Sequence, residues 1–329
     1  MKNYIIKRLL ISILVLFFVG LIIYALMRSL PASYIETVAR ERAAAGTGIS
    51  YTEWLDQLRS LYNFDMNPLQ GYVEWLKTAL SGDFGLSWMY GVPVVEKFQS
   101  VIGYSIILNI IVMVIYLAIA IPLGIKAAVN QYSKTDYTIT VVALVGISLP
   151  TFFIATLLKY LLSYKLGWFE LYGIVSRNHP YMTPVQQFFD IAWHFVLPIL
   201  TLVFISVGGT MRFTRTTMLE VLNSDYIRTA RAKGLSEKVV INKHAFRNTL
   251  IPLITSVGGV LPGMFSGAMI TETLFQLPGI GYISYQAMIR GDIPFTMFYT
   301  IFLASLILLG NLVSDILYAV ADPRIRVAS

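Results

Sequence analysis

Apolar residues in this chain come in long blocks separated by short polar stretches. The first block is an uncharged run from Leu9 to Met27 that follows Lys2, Lys7 and Arg8. It is long enough to cross a bilayer and longer than the apolar core of a cleaved leader, so it reads as an uncleaved anchor. The basic residues ahead of it place the N-terminus in the cytoplasm. Further blocks at Val101 to Ile125, Tyr137 to Leu162, Ile191 to Met211, Leu250 to Thr271 and Phe295 to Val320 predict five more spans. Pro122, Gly124 and Lys126 read as the close of the second span. The third contains Pro150, and its Lys159 lies near the outer end, where a long stem reaches the headgroups. In the fifth, Pro262 predicts a kink. Gly259, Gly263 and Gly267 there form a ridge of small residues on which another helix packs closely.

The polar stretches divide the rest of the chain. Residues 1–30 hold the N-terminal tip and first span, 31–100 an extracytoplasmic insert, 101–321 a five-helix membrane domain, and 322–329 a cytoplasmic tail. Two helix starts are legible in the insert. Ser50-Tyr-Thr-Glu53 is a capping box ahead of Trp54, Leu55, Leu58, Leu61 and Tyr62 at helical spacing. Asn67-Pro68-Leu-Gln70 offers a cap, a proline at the first helical position and a returning Gln, followed by Tyr72, Val73, Leu76 and Leu80. So short a segment with few apolar positions needs the membrane domain as a support. Lys165 to Asp190 reads as an aromatic interfacial loop. The fold class is therefore all-α, a polytopic membrane protein with six transmembrane helices and a helical extracytoplasmic insert.

Composition agrees. The 329 residues are 56% hydrophobic and 13% charged, about half the charge share of a soluble domain. The net charge of +7 suggests nucleic acid only until its distribution is examined, since no soluble domain is left to carry a basic face. With six spans, the segments assigned to the cytoplasm hold fifteen basic residues and five acids, a net of +10. The remainder holds ten and thirteen, a net of −3. Only the orientation with both termini inside obeys the positive-inside rule.

The chain has no cysteine, which excludes thiol chemistry and disulfides. No phosphate-cradling Gly-x-x-x-x-Gly-Lys-Ser/Thr loop is present. His179, His194 and His244 are scattered without metal-ligand spacing. No residue is therefore assigned a catalytic or metal-binding role, and acids at membrane depth are too few for a proton- or voltage-driven machine. Energy is expected from a partner.

The stretch that would receive it is 212–249. From Arg212 to Arg247 it carries eight basic residues and three acids, a net of +5, and it cannot lie in hydrocarbon. Ser224 or Asp225 is placed to cap a short helix that ends at Gly234 in a left-handed conformation, with Arg228, Arg231 and Lys233 favourable against its dipole. Ser236 is placed to cap a second helix. Such an element could dock on a cytoplasmic partner, or be an ordinary charged loop.

Asp225-Tyr-Ile-Arg-Thr-Ala-Arg-Ala-Lys-Gly-Leu-Ser236, with His244-Ala-Phe-Arg-Asn248 and Leu250-Ile-Pro252, resembles the coupling loop of ABC importer permeases, in particular the B-type subunit of the oligopeptide/dipeptide branch. Lys7-Arg8-Leu9, Gly82-Asp-Phe-Gly-Leu-Ser87 with Pro93-Val94, Glu272-Thr-Leu-Phe275 with Pro278-Gly-Ile-Gly281, and Asp322-Pro-Arg324 resemble the same branch. The general Glu-Ala-Ala signature is here Arg228-Thr229-Ala230, so its glutamate is missing, and its Ile-x-Leu-Pro positions are His244 to Arg247.

The resemblance implies a type I ABC importer permease fold in a bacterial or archaeal cytoplasmic membrane. A second homologous permease would complete the pathway, and an extracytoplasmic binding protein would meet the 31–100 insert. Two ATPase subunits would hold ATP and magnesium, leaving no cofactor on this chain. It implies an ATPase-coupling interface at Asp225, Arg228, Thr229, Ala230, Arg231, Ala232, Lys233, Gly234, Leu235 and Ser236. Glu272, Asn109 and Asn311 are candidates for the translocation pathway. Against that, Glu272 could cap the Pro278-Gly279 turn, and the asparagines could bond between helices. The implied cargo is a di- or oligopeptide, with oligosaccharide, nickel or glutathione as alternatives in the same machine. A secondary transporter or channel independent of ATPases is the alternative of a different class.

Overall fold

The computed structural model describes residues 2–29, 32–46, 48–61, 66–258, 263 and 268–321. Its regular elements are helices, and it divides into two compact units, 1–100 with 286–308, and 101–285 with 309–329.

In the first unit, α1 (Lys2–Arg28) is followed by α2 (Ala32–Ala44), α3 (Tyr51–Leu61) and α4 (Pro68–Leu80). The cap of α3 forms as the sequence predicts: Ser50 N–H donates to Glu53 Oε2 at 2.9 Å, and Glu53 N–H to Ser50 Oγ at 3.3 Å. Asn67 Oδ1 accepts from Leu69 N–H at the start of α4. The amphipathic face of α4 lies on α1. The Tyr72 hydroxyl donates to Phe17 O at 2.6 Å, and Tyr72 and Trp75 pack with Tyr24, Val38, Ala39, Leu58, Trp88 and Met297. Gly20 makes room, since a Cβ there would meet the Tyr72 hydroxyl oxygen at 2.8 Å. The Gly82–Val94 stretch is a tight loop tied to Asp292, which is 1% exposed. Asp292 accepts from the Ser87 hydroxyl, from Met89 N–H at 3.0 Å and from Phe295 N–H at 3.2 Å.

Most of α5 (Val94–Val129) belongs to the second unit, with α6 (Lys134–Ser148), α7 (Thr151–Leu158, running on as a π-turn to Lys165) and α8 (Pro184–Leu222). It also holds α9 (Asp225–Ala232), α10 (Glu237–Val239, continuing through a π-turn over Val240–Ala245) and α11 (Phe246–Gly258). Next come α12 (Met269–Phe275), the start of α13 (Ile280–Ile289) and the end of α14 (Ile293–Ala321).

Four helices among the described residues are long and apolar enough to cross a membrane, within α1, α5, α8 and α14, and the bent pair of α6 with α7 and its π-turn makes a fifth. In the remaining predicted span, Leu250 to Thr271, residues 259–262 and 264–267 lie outside the description, Gly259, Pro262 and Gly267 among them, as does Asp322-Pro-Arg324.

Three features differ from the sequence reading. The second span does not close at Pro122, because α5 runs through it to Val129. A proline removes one backbone bond, and packing can carry the helix past it. Gly124 is a contact and not a stop, as a Cβ there would sit 2.8 Å from Met211 O. The third span breaks at Pro150: Leu149 is extended (φ −87°, ψ 131°), as a residue before proline prefers, and the two halves meet at 99°. Finally, α8 starts inside the supposed interfacial loop, at a Thr183/Gln186 capping box. It runs for 39 residues, about 58 Å at 1.5 Å per residue, well beyond the hydrocarbon thickness.

Candidate coupling element and cavity

The first part of the basic stretch is the tail of α8. Arg215 on that tail reaches Asp136 in the first turn of α6 in a fork, Nε to Oδ1 and Nη2 to Oδ2, both 2.7 Å. Asp136 also accepts from Tyr132 N–H at 3.0 Å and Thr140 Oγ1 at 3.3 Å, and is 3% exposed. A buried carboxylate is tolerable only with its lone pairs filled in this way. Above the pair α6 and α8 lie backbone to backbone, since a Cβ on Gly208 would be 2.5 Å from Ala143 O.

At Asn223 the chain leaves α8, and α9 begins. The backbone of Ser224 takes the extended N-cap conformation, but its hydroxyl turns back to Val221 O at 2.6 Å. The inner face of α9, Ile227 and Ala230, packs with Ala128 of α5, Met218 of α8, Val240 and Ala245. Its outer face, Asp225, Arg228, Thr229, Arg231 and Ala232, is exposed, as are Lys233, Gly234, Leu235 and Ser236 beyond it. Nine of the ten interface candidates therefore face outward. Ala230, at 6% exposure, instead helps seat the helix. Gly234 follows with φ +77° and open space where a Cβ would be, so backbone conformation alone selects glycine there. Arg231 closes the turn on Glu237 at 2.7 and 3.2 Å. That hydrogen-bonded guanidinium holds the Glu237 carboxyl below its ordinary pKa.

Glu272 takes the capping place of the two weighed for it. It is 0% exposed, and its carboxylate accepts from Ser105 Oγ of α5 at 2.7 Å, Ala268 N–H at 3.0 Å and Tyr282 N–H at 3.0 Å. Ser105 Oγ accepts in turn from Ile280 N–H at 2.8 Å. A Cβ on Gly279 would meet Glu272 Oε2 and Ser105 Oγ at 2.5 Å. Glu272 thus fastens the Pro278-Gly-Ile-Gly281 turn to α5 and has no surface to offer a cargo. Lys159 is also a fastener and not a snorkelling side chain: it donates to Leu274 O at 2.6 Å and lies over the Tyr172 ring.

Asn109, the second pathway candidate, borders a cavity. With Val112, Met113 and Tyr116 of α5, and with Ser206, Gly209 and Thr210 of α8, it lines a cavity of about 540 Å³. Its amide also bonds within its own helix, to Ser105 O at 2.9 Å. Gly263 borders this cavity, with no described residue near the position of a Cβ. Asn311 is exposed on α14. Asp292 and Asp136 were not singled out from the sequence as anchors. For Asp292, the Gly291-Asp-Ile-Pro294 start of α14 was the available signal. For Asp136, whose partner is 79 residues away, there was none.

Long apolar helices, a charged element seated on their ends and a neutral cavity between two of them define a membrane permease subunit, and the chain belongs to the family of binding-protein-dependent transport system inner membrane components, which it matches over residues 120–327. Over 99% of its length it is 34% identical to the whole of the oligopeptide transport system permease protein AppB of Bacillus subtilis. It is likewise 34% identical to the whole of the dipeptide transport system permease protein DppB of Alkalihalophilus pseudofirmus. A putative peptide permease protein of Brucella ovis is 33% identical over its full length.

Proposed function

We propose that this chain is one of two permease subunits of an ATP-driven importer and that its cargo is di- or oligopeptides delivered by an extracytoplasmic binding protein. The observation that carries the reading is α9: a short helix fixed on its inner side by Ile227 and Ala230, with a charged and small-residue outer side left free. Small residues at Thr229 and Ala232 admit a close partner, and the apolar seat passes a push on α9 to the ends of α5 and α8. The partner is an ATPase subunit on each permease, holding ATP and magnesium, and this chain hydrolyses nothing. The charge distribution puts α9 and both termini in the cytoplasm, and the 31–100 insert outside, where the binding protein docks. The peptide cargo is supported by the names of the full-length relatives.

The test is reconstitution in proteoliposomes with the second permease, the ATPases and the binding protein. Peptide uptake should require ATP, the ATPases and the binding protein together. Uptake by this chain alone under an ion gradient would refute the permease reading. A cognate binding protein stabilised in thermal-shift assays only by sugars or Ni²⁺ would refute the peptide cargo.

A further inference from the structure

Of the six hydroxyls on α8, that of Thr216 is exposed, and the other five fall into two groups. Thr201, Thr214 and Thr217 are buried, and each donates to a carbonyl four residues earlier in its own helix, at 2.9, 2.8 and 3.0 Å. That is the usual way to satisfy such a group in an apolar setting. Ser206 and Thr210 lie between them on the same helix, are only half-buried, and have no hydrogen-bond partner among the described residues; both border the 540 Å³ cavity. Tyr116 of α5 borders it too, and its hydroxyl likewise has no partner among the described residues. Three hydroxyl-bearing residues and Asn109 therefore line one volume, and no charged side chain is among its described walls.

Each hydroxyl both donates and accepts, so the set matches a chain of peptide N–H and C=O groups. A charged wall at membrane depth would attract one sign of side chain and repel the other; a neutral wall does neither. From Asn109 to Tyr116 is seven residues of helix, about 10 Å, the length of about three extended residues.

We infer that this cavity is a transit site that holds the peptide main chain through Asn109, Tyr116, Ser206 and Thr210 without regard to side-chain charge. The inference rests on the peptide-importer reading and adds to it the place and the chemistry of contact. Specificity for particular side chains then belongs to the binding protein, and the permease recognises what all peptides share.

The natural absence of cysteine gives the test. Gly209 borders the cavity with open space at its Cβ position, so Gly209→Cys fits without a clash and places a thiol in the cavity. In the reconstituted complete transporter, with cysteines removed from the partners, this variant is treated with a trimethylammonium-ethyl methanethiosulfonate reagent. Modification should lower peptide uptake at least ten-fold, and transported peptide should slow modification. Modification that leaves uptake unchanged overturns the proposal, as does failure to react when an exposed control, Tyr132→Cys, reacts. The second measurement is the pair Ser206→Ala and Thr210→Val. It should raise KM several-fold, by the same factor for trialanine and for its Lys- and Glu-containing analogues, with kcat little changed. An unchanged KM, or a rise confined to one charge class, contradicts main-chain recognition. ATP-dependent uptake by the unsubstituted complex tests the importer reading separately, so the two can fail independently.

Discussion

Gly234 is where the coupling element is most open to a quantitative test. Its φ of +77° lies in the left-handed region, and a Cβ there would meet nothing. A substitution therefore acts through the backbone alone, with no contribution from crowding. A β-carbon in that region costs roughly 1–2 kcal/mol, more for a β-branched residue and least for Asn. The Arg231–Glu237 bridge that closes the same turn is exposed on both sides, so it opposes the strain with only about 0.5 kcal/mol. Ala should thus depopulate the native turn by about ten-fold, Val by more, and Asn by only a few-fold, at 1.4 kcal/mol per factor of ten. The assay is ATP-driven peptide uptake by the reconstituted complex, with ATPase co-purification as the measure of docking. The expected order of activity is Gly, Asn, Ala, Val, with membrane insertion normal throughout. If Asn fails as completely as Val, conformation is not what position 234 supplies. If Val is as active as the native chain, the turn does not carry the coupling.

Other anchors give separate predictions. Asp136→Ala leaves Arg215 without its partner and should cost about 3–5 kcal/mol, seen as a lower aggregation temperature in detergent; Asp136→Leu with Arg215→Met should recover much of it. Glu272→Ala strips the Ser105 hydroxyl and two backbone N–H groups of their acceptor, at about 1–3 kcal/mol each. It should expose the 277–281 turn to proteolysis, whereas a pathway role would alter cargo preference and leave the turn protected. The Arg231–Glu237 bridge should tighten the turn only while Glu237 is ionised. Because its folded pKa is depressed, that contribution is present above the ordinary carboxylate range and lost as pH falls through the lower folded value. Labelling of Ser236→Cys with a pH-insensitive reagent should quicken on acidification, and Glu237→Gln should abolish that dependence.

Much of this fold was written locally and could be read that way. The Ser50/Glu53 box, the Asn67 cap and the left-handed Gly234 depend on a few neighbouring residues, and each stands where the sequence put it. The Thr183/Gln186 box was equally local and was passed over, because the aromatic residues around it suggested an interfacial loop. Pro122 and Pro150 show where local reading ends. Both carry the same chemistry, yet one lies inside a continuous helix and the other sits at a 99° break. At Pro122 the helix continues, packed on α8 next to Gly124. The buried carboxylates were hidden for the same reason. Asp136, Glu272 and Asp292 find their side-chain partners 79, 167 and 205 residues away, and such pairings leave no periodicity in the sequence. Of the pathway candidates, Asn109 borders a cavity, and the hydroxyl-bearing residues that share it look in sequence like any others on an apolar helix.

The central claim is that the outer face of α9 is the seat of an ATPase subunit. A photo-crosslinking scan tests it directly, with a benzophenone reagent attached to single cysteines at positions 225–236 in the assembled transporter. Thr229, Ala232 and Leu235 should crosslink to the ATPase, with yields that change when ATP is bound. Ile227 and Ala230, turned inward against α5 and α8, should yield no product with it. Crosslinks from the outer positions to lipid alone, or equal yields from both faces, would contradict the account.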